Sequence, residues 1–96
     1  MLIAKVVGLA VATVKDQRLD GGKCLLVAAA DPAGQPQGNP FVGVDMVGAG
    51  EGELVMVVEG SSARVAAGDA SRPVDAVIVG ILDSLRHDGQ MTYKKS

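Results

Sequence analysis

The 96-residue chain has no tryptophan, one phenylalanine (Phe41), one tyrosine (Tyr93), one cysteine (Cys24) and one histidine (His87). Each scarcity removes a class of function. Single-stranded nucleic acid is held by bases stacked on aromatic side chains along a cationic groove, and two aromatics make no such platform. Duplex binding needs clustered cations to neutralise phosphates. Here nine Lys and Arg are scattered among eleven Asp and Glu, for a formal charge of −2. No nucleic-acid partner is expected. A lone cysteine forms no internal disulfide and suits a reducing compartment. A zinc centre needs three or four ligands at defined spacings, which Cys24 and His87 do not supply, so neither metal nor cofactor is expected. Long apolar runs are also missing. The stretch Val6–Val14 is interrupted by Gly8 and Thr13, whereas a membrane helix needs about 20 apolar residues. Met1-Leu2-Ile3-Ala4 carries no cationic leader. A cytoplasmic protein with no membrane partner is expected.

What is present is aliphatic. Five runs, Leu2–Val14, Cys24–Ala30, Phe41–Val47, Leu54–Val58 and Val74–Leu82, are rich in valine and bounded by Gly, Pro or Asp. Most are too short for a helix and read as strands. Strands following one another so closely must mostly be antiparallel. Several are apolar on both faces, more than a single barrel interior can fill, and the surplus calls for a partner. Gly8, inside the first run, marks a bulge or sharp bend of the kind a small barrel needs to close.

Between the runs stand turns. Lys15–Gly22 is a polar loop. Asp31–Pro40 contains three prolines and two glycines and reads as a surface loop. Gly48-Ala49-Gly50-Glu51-Gly52 is a glycine-rich connection. Gly60–Gly68 breaks the strand pattern: Ser61 is a candidate N-cap, Ala63–Ala67 favour helix, and Gly68 suits the C-terminal cap. Asp69–Pro73 is a loop. His87-Asp88-Gly89-Gln90 carries a turn signal, and Met91–Lys94 could add a short strand. The expected fold is all-β: a small five-stranded closed β-barrel, OB-like, with one short helix before the last strand. Residues 1–96 form one domain, with 83–96 as a polar C-terminal extension.

No catalytic constellation emerges. The Gly48–Gly52 segment is followed by a strand rather than a helix, and Glu51 and Glu53 would repel phosphate, so it reads as a turn. A nucleophilic Cys24 or Ser61 would need His87 as base and an orienting acid, and neither sits in a nucleophile elbow. Asp45 and Asp75 lie in or beside apolar strands and call for a backbone amide, Arg64 or Arg72 as partner. Gly60-Ser61-Ser62-Ala63-Arg64 admits two readings. One is a capped helix whose Arg64 pairs with an acid, within the subunit or across an interface. The alternative is a module that holds a small anion at the helix start.

Several segments resemble the EutN/CcmL family. They are Ile3–Asp16, Leu19–Val27, Val44–Gly50, the Gly60-Ser61-Ser62-Ala63-Arg64 motif, and Pro73-Val74-Asp75-Ala76-Val77-Ile78-Val79-Gly80-Ile81-Leu82-Asp83. They run in order over nearly the whole chain. The resemblance implies a non-enzymatic shell protein whose homo-pentamers cap the vertices of a bacterial microcompartment, beside hexameric shell proteins that tile its facets. It implies no catalytic residue, and it sets Gly60, Ser61, Ser62, Ala63 and Arg64 at the subunit interface or near the five-fold pore. The loop 31–40 and the tail depart from the family pattern.

Overall fold

Alternation of inward and outward valines along short strands, closed by tight turns, produces the barrel. The structure, a computed structural model, describes residues 1–12, 22–68 and 74–96. The elements are β1 (Leu2–Ala10), β2 (Lys23–Ala29), β3 (Phe41–Asp45), β4 (Leu54–Glu59), α1 (Ser61–Ala66), β5 (Ala76–Ile81), β6 (Ser84–His87) and β7 (Gln90–Lys94). The first five strands close in the order β1-β2-β3-β5-β4 and back to β1. All pairs are antiparallel except β3 with β5. That pair runs parallel because β4 and α1 intervene in the chain and supply the crossover. The expected OB-like barrel with its helix before the last barrel strand is the one that forms.

The register of β1 against β2 slips between Val6 and Gly8, so the bulge falls where the glycine placed it. A second slip lies opposite Val79, where Met56 pairs with Gly80 and Val57 with Ile78. The barrel interior is filled by Ala4, Val6, Leu25, Val27, Val55, Val57, Ala76 and Ile78, with Ala49 closing one end. Burying a side chain of the size of Leu25 or Ile78 contributes roughly 1.5–3 kcal/mol.

A second apolar cluster lies outside the barrel. Val44, Val58, Val74 and Val77 pack under Ala63 and Ala67 of the helix region. Part of the surplus apolar surface read from the sequence is therefore covered within the subunit. β4 shows this best: Val55 and Val57 point in, while Leu54 and Val58 point out and are still buried.

The helix begins differently from expectation. Gly60, not Ser61, is the N-cap, and no side chain caps the helix. Gly60 stands at φ 65° and ψ −141°, a conformation that glycine adopts freely and serine does not. It turns the chain one residue earlier and leaves Ser61 as the first helical residue. Gly68, at φ +81°, follows the helix end as a C-terminal glycine should.

The tail is more ordered than a polar extension. Met91–Lys94 falls within β7, and β6 forms beside it. Asp88 at φ 52° and Gly89 at φ 75° make the two-residue turn between them, the pattern of an Asp-Gly type I′ hairpin. The amide of Leu82 donates to the carbonyl of Leu54 at 2.9 Å. Tyr93 leans on Gly34: a Cβ there would lie 3.1 Å from the tyrosine ring and 3.2 Å from Leu54. Leu54 is thus sealed by the 31–36 loop and the hairpin. The expected loops Lys15–Gly22 and Asp69–Pro73, and with them Arg72, lie outside the described residues, Gly22 excepted.

Candidate functional site

The loop after β3 is built by carboxylates. Asp45 Oδ1 accepts from the Val47 amide at 3.0 Å and Oδ2 from the Ala49 amide at 2.9 Å. These bonds pull the chain out of the strand at Met46, which ends β3 two residues before the apolar run ends. Lys23 Nζ donates to the Ala49 carbonyl at 3.1 Å. Glu53 Oε1 accepts from the Gly50 amide at 2.6 Å. Held from three directions, Ala49 sits fully buried in the barrel mouth while Met46 and Val47 remain exposed. The Gly48–Gly52 segment is a turn, as read. The amide partner expected for Asp45 is present; Lys23 and Glu53 as further holders of this loop are not legible from sequence.

Glu53 also pairs with Lys95, Nζ to Oε2 at 2.8 Å. The hydrogen bond from Lys95, helped by the Gly50 amide, holds the Glu53 carboxyl below its ordinary pKa. The same bond raises Lys95.

Asp75 corrects an expectation. It is exposed, just ahead of β5, so its carboxylate needs no buried partner; its backbone carbonyl accepts from the Gly60 amide at 2.8 Å. That bond ties the helix start to β5.

The Gly60–Arg64 segment lies on the outer surface of the barrel. Gly60, Ser61 and Ser62 are exposed, Arg64 is half-buried, and Ala63 is fully buried in the outer cluster. Ala63 therefore serves the subunit's own packing. Gly60, Ser61, Ser62 and Arg64 are the members a neighbour can touch. Arg64 has no ion-pair partner among the described residues. The anion-binding alternative finds no support: the helix is six residues long, without a side-chain cap, and its serine hydroxyls face solvent.

Cys24 is half-buried and free, at the edge of the outer cluster. The side chain of His87 is 59% exposed, with Nδ1 3.6 Å from Asp88 Oδ2. The structure brings neither residue to the other nor to Ser61. Among the described residues no three His, Cys, Asp or Glu side chains come together as a metal site, and no helix is long and apolar enough to cross a membrane.

Exposed large apolar side chains gather at the far end of β1. Val7 is 39%, Leu9 50% and Val11 80% exposed. With Ala10 and Ala12, Leu9 and Val11 face Gly22, Lys23 and Cys24 across an open cleft. Sequence reasoning placed surplus apolar surface on the strands without locating it here.

A family model described as "Ethanolamine utilisation protein EutN/carboxysome" matches residues 1–83. The chain is 42% identical over 95 residues to a bacterial microcompartment shell vertex protein, EutN, of Escherichia coli, covering 99% of this chain and 100% of that relative. It is 44% identical to a carboxysome shell vertex protein, CcmL, of Synechocystis sp., covering 99% of this chain and 95% of the relative. A solved structure of GrpN, a pentameric microcompartment shell protein from Rhodospirillum rubrum, superposes with a TM-score of 0.82 at 42% identity, over 91% of this chain and 99% of the other.

Proposed function

This chain belongs to the EutN/CcmL family, and on that premise we propose that it is a structural shell protein whose pentamers cap the vertices of a bacterial microcompartment. The observation that carries this reading is the correspondence along the whole chain, at 42% identity, with a protein named for that role. Physical reasoning agrees. A ring of five is a head-to-tail contact that closes on itself, so each subunit offers two different flanks. An ordinary interface buries about 800 Å² per partner; two of them would cover more than a quarter of the 5615 Å² that this subunit exposes. A flat tiling of hexagons closes into a shell only where five-fold points interrupt it. The protein's partners are therefore copies of itself and hexameric shell proteins. The barrel and its hairpin act as one domain, and the chain performs no catalysis.

Within the ring, Gly60, Ser61, Ser62 and Arg64 lie at the subunit contact or beside the five-fold axis, with Arg64 reaching an acid of the neighbouring copy. What supports this is a half-buried arginine with no ion-pair partner of its own among the described residues.

Native mass spectrometry tests the assembly: the expected species is five times the 9.7 kDa chain, and a monomer at micromolar concentration overturns the reading. Arg64→Ala should weaken the ring by about 1–3 kcal/mol per contact, the loss typical of a hydrogen bond to a charged group. An unchanged dissociation profile removes Arg64 from the contact and leaves the pentamer standing.

A further inference from the structure

β1 changes character at its bulge. Up to Val6 it is paired on both sides: Leu2–Lys5 meet β4, Ala4–Val6 meet β2, and Val6 exchanges backbone hydrogen bonds with Gly52 and Glu53. Beyond the bulge, Gly8–Ala10 are paired with β2 alone. The other edge of the chain, from Gly8 in β1 to Ala12 just past its end, has no backbone partner among the described residues. The same stretch carries Leu9 and Val11, half and four-fifths exposed, and they line the cleft against Gly22, Lys23 and Cys24.

An open strand edge that is also apolar is a site for association. A polar edge would have been enough to keep the molecule apart, and the chain has lysines and glutamates elsewhere that could have blunted it. None stands between Val6 and Ala12. Open backbone groups offer hydrogen bonds to an added strand or loop, and the cleft offers a pocket for one of its side chains. Resting on the pentameric reading, we propose that this edge from Gly8 to Ala12, with its cleft, is one of the two flanks of the ring, and that a second copy of this chain covers it. A ring contact of two unlike surfaces uses a flank with both a backbone edge and an apolar hollow, a surface that a lasting monomer would have to blunt or hide. The helix flank, by contrast, has its valines already covered by α1.

Replacement of Val11 by Asp tests the proposal cleanly, because Val11 is 80% exposed and contributes nothing to the subunit's own core. Met91→Asp, on the β7 hairpin at 54% exposure, is the control. In native mass spectrometry over a dilution series, Val11→Asp should raise the concentration at which the pentamer dissociates by about 100-fold or more, as loss of a central apolar contact does. Met91→Asp should leave it within about threefold of wild type. Circular dichroism checks that both variants keep the barrel. In the wild-type pentamer the amides of Gly8–Ala12 should exchange with solvent far more slowly than those of the Asp88-Gly89 turn. A wild-type pentamer in which Val11→Asp assembles normally, or in which those amides exchange as fast as the turn, overturns this assignment while leaving the pentamer intact. A wild-type monomer overturns the pentamer itself.

Discussion

The barrel is apolar outside on two sides, and they are treated differently. On the side of β3, β5 and β4, the outward residues Val44, Val77 and Val58 lie beneath Ala63 and Ala67 and are nearly or fully buried. On the side of β1 and β2, the outward row Gly8, Leu26 and Val42 runs across paired positions, and Val42 remains 48% exposed. Both sides derive from the same kind of valine-rich run. One is closed by six residues of helix with small side chains that approach the sheet closely. The other has no such cover among the described residues. Excess apolar surface is therefore not equal to interface: part of it is the underside of a helix, while Val7, Leu9, Val11 and Val42 on or near β1 and β3 stay exposed.

Matched substitutions on the two sides break or sustain this contrast. Val77→Asp puts a carboxylate under the helix, among Val44, Val58, Ala63 and Val74. The expected loss exceeds about 4 kcal/mol, enough to prevent folding of a small domain. Val42→Asp should change the stability of the dissociated subunit by no more than about 0.5 kcal/mol. Urea unfolding below the dissociation concentration measures both. Similar losses at the two positions would mean that the uncovered side is covered after all.

A smaller effect is expected at the barrel mouth, where polar bonds replace packing. Asp45→Ala removes the acceptors of the Val47 and Ala49 amides and should cost about 1–3 kcal/mol. Asp45→Asn retains one oxygen acceptor and should lose less. Amide exchange reads the mechanism directly: in Asp45→Ala the Val47 and Ala49 amides should lose protection while those of β4 keep it. Uniform loss would show that Asp45 supports the whole barrel rather than this loop.

These particulars mark what was legible in the chain and why. The five barrel strands follow from valine-rich runs between turn residues, and Gly8 signals its bulge because a glycine inside a strand marks a bulge or a close approach; a Cβ there would lie 3.2 Å from Leu26 Cδ1. Asp45 signals its role because a carboxylate amid apolar residues must find donors, and the nearest are the amides of its own loop. Ser61 misleads as a cap because Gly60 beside it is also a permitted N-cap, and the choice depends on a backbone conformation fixed by the bond to Asp75. β6 is hidden because Ser84, Arg86 and His87 are all exposed, so no apolar alternation announces it. The Lys23 bond to Ala49 spans 26 positions, and only closure of the barrel brings its ends together. Of the Gly60–Arg64 motif, the sequence shows the helix start but not that Ala63 faces inward, since six residues are too few for a clear apolar stripe.

The hairpin gives a third kind of cover, held partly by charge, and its effect should be the smallest. Glu53 is depressed first by its hydrogen bond to Lys95, then by the Gly50 amide, and Lys95 is raised by the same carboxylate. A depressed carboxyl stabilises the fold above its unfolded value, about 4.3, and that contribution is lost as pH falls through the lower folded value. A raised ammonium stabilises the fold below its unfolded value, about 10.4, and that contribution is lost as pH rises through the higher folded one. The pair should thus be fully effective across the neutral range and fade at both extremes. Both groups are reached by solvent, so screening keeps the contribution small and added salt shrinks it further. Thermal unfolding of wild type and Glu53→Gln between acid and alkaline pH makes the comparison. The two curves should be separated at neutral pH, converge in acid as Glu53 protonates below its ordinary range, and approach each other in high salt. Curves that coincide at neutral pH would mean that the hairpin is held by Tyr93 packing over Gly34 and Leu54, with the ion pair idle.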